Sequence, residues 1–176
     1  REYDVDEVVG NKVVDISRDE DHFEVETEDG EVHTALGVIV CTGGSRRKLN
    51  APGEEEFANK GVAYCAVCDG PLYQGEEIAI IGGGYAGTEA AEYMSDIASK
   101  VYLFSRSGVL SGEQITIDKV EEDDNIEILR GASVKKFYGD NLLDGIEYEQ
   151  DDEIKRLEVP AAFIEIGTVP NSDLTD

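Results

Sequence analysis

Short apolar runs separated by turn residues pattern the chain. Val13, Val14 and Ile16, then Phe23, Val25 and Thr27, are spaced as short strands, and Glu28-Asp29-Gly30-Glu31 is a turn signal. Leu36-Gly-Val-Ile-Val-Cys41 is a continuous apolar run and predicts a strand buried on both faces, ending in a tight turn at Thr42-Gly43-Gly44. Arg46-Arg47-Lys48 followed by Pro52-Gly53 reads as a linker. Glu77-Ile-Ala-Ile-Ile81 predicts a buried strand. Gly84 to Ser99 predicts a helix with Ala86, Ala90, Tyr93, Met94 and Ile97 on one face, and Val101-Tyr-Leu-Phe104 predicts a second buried strand. Strand, helix, strand in this order makes a right-handed βαβ unit. Ile126–Leu129, Ser133–Tyr138, Gly145–Tyr148, Ile154–Val159 and Ala161–Ile166 add further strands. The pattern therefore predicts an α/β fold with antiparallel strands added to a βαβ core. It contains no internal repeat.

Charge changes the picture more than size does. The 176 residues carry 40 acidic side chains against 15 basic ones, a formal charge of −25, while 40% of residues are hydrophobic. A packed core is expected. The negative field disfavours nucleic acid and anionic membrane as partners. Acid runs at Glu54-Glu55-Glu56, Glu121-Glu122-Asp123-Asp124 and Asp151-Asp152-Glu153 read as solvated loops, and the excess over the whole chain suggests a high-salt, halophilic setting. No apolar run approaches the roughly 18 residues of a membrane span. The start shows no signal-peptide pattern, and the three cysteines do not suit a secreted disulfide scaffold. A reducing cytoplasm is the expected setting. The first residue is not Met, and both ends are expected to be cut edges of a longer protein.

Gly82-Gly83-Gly84-Tyr85-Ala86-Gly87 follows a predicted strand and opens a helix, which is the context of a dinucleotide-binding turn in a Rossmann-type domain. Gly82 permits the turn, Gly84 lets a pyrophosphate approach backbone, and Gly87 lets helix and strand pack closely. The helix N-terminus offers free N–H groups and a partial positive charge. A carboxylate about 20 residues further on would select NADH through the ribose hydroxyl. Ser105-Arg106-Ser107 occupies that place, and Arg106 suits a 2′-phosphate, so NADPH is favoured with NADH still open.

Cys65-Ala-Val-Cys68-Asp69-Gly70 can close a small redox disulfide, with Asp69 placed to move a proton to or from a thiolate. Half of a zinc site and a pair of inert thiols are the alternatives. Zinc lacks a second CxxC, with Cys41, His22 and His33 remaining as ligands, and Cys41 is expected in the core. No metal site is expected.

The run from Gly61 to Gly70, Gly61-Val-Ala-Tyr-Cys-Ala-Val-Cys-Asp-Gly70, followed closely by Ile80-Ile-Gly-Gly-Gly84, resembles the low-molecular-weight thioredoxin reductases. The flavoprotein component of alkyl hydroperoxide reductase is similar too. Thr88-Glu-Ala-Ala91, Ile97-Ala-Ser-Lys-Val101, Phe163-Ile-Glu-Ile-Gly167 and Pro170-Asn171 extend the likeness, and Val38-Ile-Val-Cys-Thr-Gly43 resembles the strand and glycine turn beside FAD. The resemblance implies a pyridine-nucleotide domain at 58–160 inserted into an FAD-type α/β domain, of which 1–57 and 161–176 would be pieces. Thr42, Gly43, Ile166 and Gly167 would then contact cofactor. Electrons would pass from NADPH through FAD to the Cys65–Cys68 disulfide, with Cys68 nearer the flavin, Cys65 exchanging with a partner disulfide and Asp69 as the acid–base group. The implied partner is a thioredoxin-like protein, and the implied whole protein is a homodimer.

Two departures accompany the resemblance. The N-terminal FAD fingerprint and the C-terminal Gly-Asp segment are absent, so this chain is not expected to hold FAD firmly alone. Of the His-Arg-Arg cluster and later Arg at the 2′-phosphate site, Arg106 remains. The rival expectations are a dinucleotide- or partner-binding module without activity, and a flavin disulfide reductase with another electron donor.

Overall fold

Whether an apolar run becomes a buried strand depends on the neighbours that take up its backbone groups. A computed structural model of the chain describes residues 5–175. In chain order the elements are β1 (Val13–Asp19), β2 (His22–Thr27), β3 (Val32–Ala35), β4 (Gly44–Arg46), β5 (Val62–Ala63), α1 (Ala66–Asp69), β6 (Glu77–Ile81), α2 (Tyr85–Ser95), β7 (Lys100–Ser105), α3 (Gln114–Glu122), β8 (Ile126–Arg130), β9 (Ser133–Gly139), β10 (Leu143–Gln150), β11 (Glu153–Glu158), β12 (Ala161–Ile164) and β13 (Thr168–Pro170). The chain divides into two compact units: Arg46–Thr168, and the residues to either side of it. The two-stranded ribbon β4–β13 lies where the chain passes from one to the other.

The flanking unit contains the antiparallel meander β1-β2-β3, with Ile16 opposite Val25 and Phe23 opposite Ala35. Its β2–β3 turn is fastened by Asp29, which accepts from the Thr27 hydroxyl at 2.8 Å and the Glu31 N–H at 3.2 Å. The predicted strand Leu36–Cys41 is not there. The segment has no strand structure, and Leu36 and Ile39 are 89% and 90% exposed. A strand buried on both faces needs a sheet partner and a layer on each side, and none is supplied among the described residues. Cys41, expected in the core, is accordingly an exposed free thiol.

The central unit is built on a five-stranded parallel sheet in the order β5-β12-β6-β7-β8. β12, although last of the five in the chain, sits between β5 and β6. Successive residues point to opposite faces, so each strand feeds two cores. Ile78, Ile80, Val101, Leu103 and Phe163 face α2, where Ala90, Ala91 and Met94 cover them. Ala79, Ile81, Phe104, Ala162 and Ile164 face the other way, onto Phe137 and Ile146 of the antiparallel sheet β11-β10-β9. The acid pair Asp151 and Asp152 makes the β10–β11 turn with both residues at positive φ, the pattern of a tight two-residue hairpin. The α/β fold with added antiparallel strands is the one the pattern predicts.

Three local differences have physical causes. α2 ends at Ser95, and its buried face is Gly87, Thr88, Ala90, Ala91 and Met94; Tyr93 is 37% exposed because small residues let the helix lie close to the sheet. α3 is hidden in the sequence by its acidic tail: Thr116 and Val120 are buried, while Glu121 and Glu122 end the helix on its exposed side. Glu54, within a run that reads as solvated, is 1% exposed.

Phe163 is fully buried on β12, inside the parallel sheet. Phe163→Ala is expected to lower the stability of the central unit by about 3–5 kcal/mol. Leu36→Ser is expected to stay within about 0.5 kcal/mol of the parent, because the side chain is already in water. Urea unfolding of the three chains checks both.

Candidate active site

The glycine turn lies where β6 ends. Gly82 has φ +134, and a Cβ there would stand 2.3 Å from the carbonyl oxygen of Glu165. A Cβ on Gly87 would stand 1.7 Å from the Gly82 carbonyl oxygen, so only glycine lets the first turn of α2 lie against the loop. Gly84 differs: nothing lies within 4 Å of a Cβ built on it. It is the N-cap of α2 and brings no side-chain cap, so the first N–H groups of the helix lack a side-chain acceptor at that position.

Gly82 and Gly84, but not Gly87, border a cleft of about 910 Å³ at the C-terminal ends of the parallel strands. Gly82, Gly83, Gly84, Tyr85 and Ala86 line one part, Ser105, Arg106 and Ser107 another, and Ile166 and Gly167 a third. Ser105 is buried and its hydroxyl donates to the Val109 carbonyl at 2.9 Å; the Ser107 hydroxyl donates to the same carbonyl at 3.2 Å. The Arg106 side chain is exposed on the rim. Glycine turn, uncapped helix end and rim arginine fit a dinucleotide. Thr42 and Gly43 lie in the other unit, where the Thr42 hydroxyl donates to the Asn171 carbonyl at 2.5 Å. Both are exposed.

Cys65 and Cys68 are joined by a disulfide. Cys65 is the N-cap of the single-turn helix α1, and the Cys68 N–H donates to its sulfur at 3.3 Å. Cys65 is half-buried, Cys68 exposed and Asp69 half-buried. Asp69 is the last residue of the turn, its N–H donating to the Cys65 carbonyl at 3.1 Å. The turn is held down behind Asp69 by Gly70, where a Cβ would stand 2.3 Å from the Met94 sulfur of α2.

Sequence reasoning did not single out the two buried carboxylates that flank Cys65. Glu54 accepts from the Leu49 N–H at 3.1 Å, the Ala51 N–H at 3.3 Å and the Tyr64 hydroxyl at 2.8 Å. Burial first, and the hydrogen bond to Glu54 second, hold the Tyr64 phenol well above its usual range. Glu165 accepts from the Ala66 N–H at 3.2 Å and faces the Arg46 guanidinium at 3.5 Å. Its signal was present: it is the lone charge in the apolar run Ala161–Ile166. It also lines the cleft, and so touches both the glycine turn and the dithiol turn.

The whole chain, residues 1–176, matches the family model described as pyridine nucleotide-disulphide oxidoreductase. The chain belongs to that family. It is 37% identical over 173 residues to an alkyl hydroperoxide reductase component of Staphylococcus aureus, covering 97% of this chain and 34% of the relative. It is 36% identical over 178 residues to a protein named NADH dehydrogenase of Ferdinandcohnia aciditolerans, covering 100% and 34%. Its fold matches the thioredoxin reductase of Lactococcus lactis with a TM-score of 0.85 at 28% identity, over 94% of this chain and 55% of that one. The chain thus spans about a third of the curated relatives it matches. No helix among the described residues is long and apolar enough to cross a membrane.

Burial raises the Glu165 carboxyl above its ordinary value of 4.5, against the opposing pull of the Ala66 N–H and Arg46. An acid raised in the folded state stabilises the fold fully below its unfolded value and loses that contribution as pH rises through the folded one. The central unit should therefore lose stability from about pH 4.5 upward through this residue. Glu165→Gln should remove that part of the slope, seen as a flatter difference in urea midpoints between about pH 4.5 and 7 than in the parent.

Proposed function

We propose that this chain is the nucleotide-binding and dithiol-bearing part of an NAD(P)H-dependent disulfide oxidoreductase of the thioredoxin reductase kind. The observation that carries the reading is that one compact unit holds both a glycine-turn cleft and a Cys65–Cys68 disulfide. The cleft would seat the dinucleotide, with its pyrophosphate over Gly84 and the α2 N-terminus. Arg106 would meet a 2′-phosphate, favouring NADPH over NADH. Ile166 and Gly167 would border the nucleotide where the chain leaves β12.

The flavin expected from the resemblance would, when bound, supply the two-electron relay between nucleotide and disulfide. The chain's own residues do the remainder. The pair opens to a dithiol, one sulfur exchanges with a protein disulfide and the other resolves the mixed disulfide. Asp69 would accept and return the thiol proton. A thioredoxin-like protein is the partner this reading assigns. The relatedness to an alkyl hydroperoxide reductase component favours a second reading, in which the partner disulfide belongs to a peroxide-reducing system.

Gly84→Val is a clean test of the nucleotide site, because the fold leaves room for the side chain. The variant should keep the parental melting temperature and lose NADPH affinity by at least about tenfold, a change of about 1.4 kcal/mol. Calorimetric titration with NADPH and NADH reads both affinity and preference; parental binding by the variant would show the site to be misplaced. In the whole protein, Cys65→Ser and Cys68→Ser should each stop turnover of a protein disulfide. Asp69→Asn should slow it by about 10²- to 10⁴-fold. Parental turnover by Cys68→Ser would make the pair structural.

A further inference from the structure

Two carboxylates are buried among the described residues, Glu54 and Glu165. Glu54 has a complete structural account: three donors converge on it and close the loop before β5. Glu165 has none of that kind. The strand does not need its side chain there, because its backbone N–H already donates to the Ile81 carbonyl at 2.8 Å. Its carboxylate instead reaches sideways to the dithiol turn, where it accepts the N–H of the peptide that joins Cys65 to Ala66. Arg46 lies on its other oxygen, at 3.5 Å and 48% exposed, so the two carboxylate oxygens have different partners.

This arrangement affects Cys65 in two ways. It ties down the backbone at the cysteine's own peptide, the amino end of α1. It also occupies the Ala66 N–H, leaving the Cys68 N–H, at 3.3 Å, as the donor of this turn that meets the Cys65 sulfur. A carboxylate so near disfavours a thiolate at Cys65. The charged or titrating groups about the turn are Glu165 beyond β12, Arg46 on β4, Asp69 on α1 and Tyr73 in the turn that follows.

We propose that Glu165 is a positioning residue for the dithiol: it holds the Ala66 peptide, fixes the Cys65 end of the turn and sets how readily Cys65 carries charge. The proposal rests on the reading of the pair as redox-active. Reduction breaks the Sγ–Sγ bond and adds two electrons; the sulfurs take up two protons, or one where Cys65 stays a thiolate. Dithiothreitol can supply the electrons in vitro, itself closing to a cyclic disulfide.

The test is Glu165→Gln on this chain, since the amide oxygen can still accept from Ala66 while the charge is gone. Equilibration with dithiothreitol buffers gives the exchange constant. Iodoacetamide labelling of the reduced chain from about pH 5 to 9, read on the Cys65 peptide by mass spectrometry, gives the thiolate profile. The expected result is a shift of about tenfold toward the dithiol, equivalent to about 30 mV for a two-electron couple. The Cys65 labelling profile should move to lower pH, and Glu165→Ala should move both further. Unchanged constant and profile in a folded Glu165→Gln chain overturn the proposal. The unmutated chain supplies a second measurement that no folding defect can obscure. The Ala66 amide resonance should follow a carboxyl titration, and an Ala66 amide that follows none overturns the anchor. A parent whose pair cannot be reduced and reoxidised reversibly would instead overturn the redox reading beneath it.

Discussion

Everything in the central unit depends on where β12 pairs. Its backbone hydrogen-bonds in parallel to β5 on one side and β6 on the other, with Ala162 opposite Val62 and Ala79. Without it β5, only two residues long, would have no place in the sheet. The pairing carries Cys65, which follows β5, to the same end of the sheet as the glycine turn, which follows β6. It also delivers Glu165 between them. The contact is close enough that a Cβ on Gly82 would collide with the Glu165 carbonyl. The late return of the chain into the sheet is therefore what brings the two motifs to one end of it.

The consequence is that Cys65 is held from both sides by buried acids. Tyr64, before it, is fastened to Glu54, and Ala66, after it, to Glu165. Each acid is satisfied by donors at hydrogen-bonding distance, as a buried charge must be. Cys68, by contrast, is exposed and sits beside the exposed Val67. The turn is thus fastened by long-range hydrogen bonds on either side of Cys65 and open to solvent at Cys68.

The same sheet separates two kinds of acid in a chain with 40 of them. Most lie in turns, at helix ends or on exposed strand faces, as at Asp151–Asp152 and Glu121–Glu122. Glu54 sits beside exposed Glu55 and Glu56, yet is almost fully covered. Counting charge does not distinguish them, because local sequence carries no measure of the N–H groups that a folded loop will present.

The βαβ core, the antiparallel addition, the glycine turn and the disulfide-forming pair are all legible in the chain before it folds. Each is written in spacing: a period of two or of three to four, glycines at the bends, two cysteines one helical turn apart. The family resemblance is legible there too, and the match of the whole chain bears it out. Folding in three dimensions settled what spacing cannot express. Leu36–Cys41 has the apolar run of a buried strand, but a run is buried only where a neighbouring strand and covering layers exist, and here the segment is open to water. Glu165 looks like an interruption in an apolar strand, and it becomes part of the site because a parallel ladder places it against a peptide 99 residues away in the chain. Burial and long-range hydrogen bonds are properties of pairs of distant residues, so only the fold could assign them.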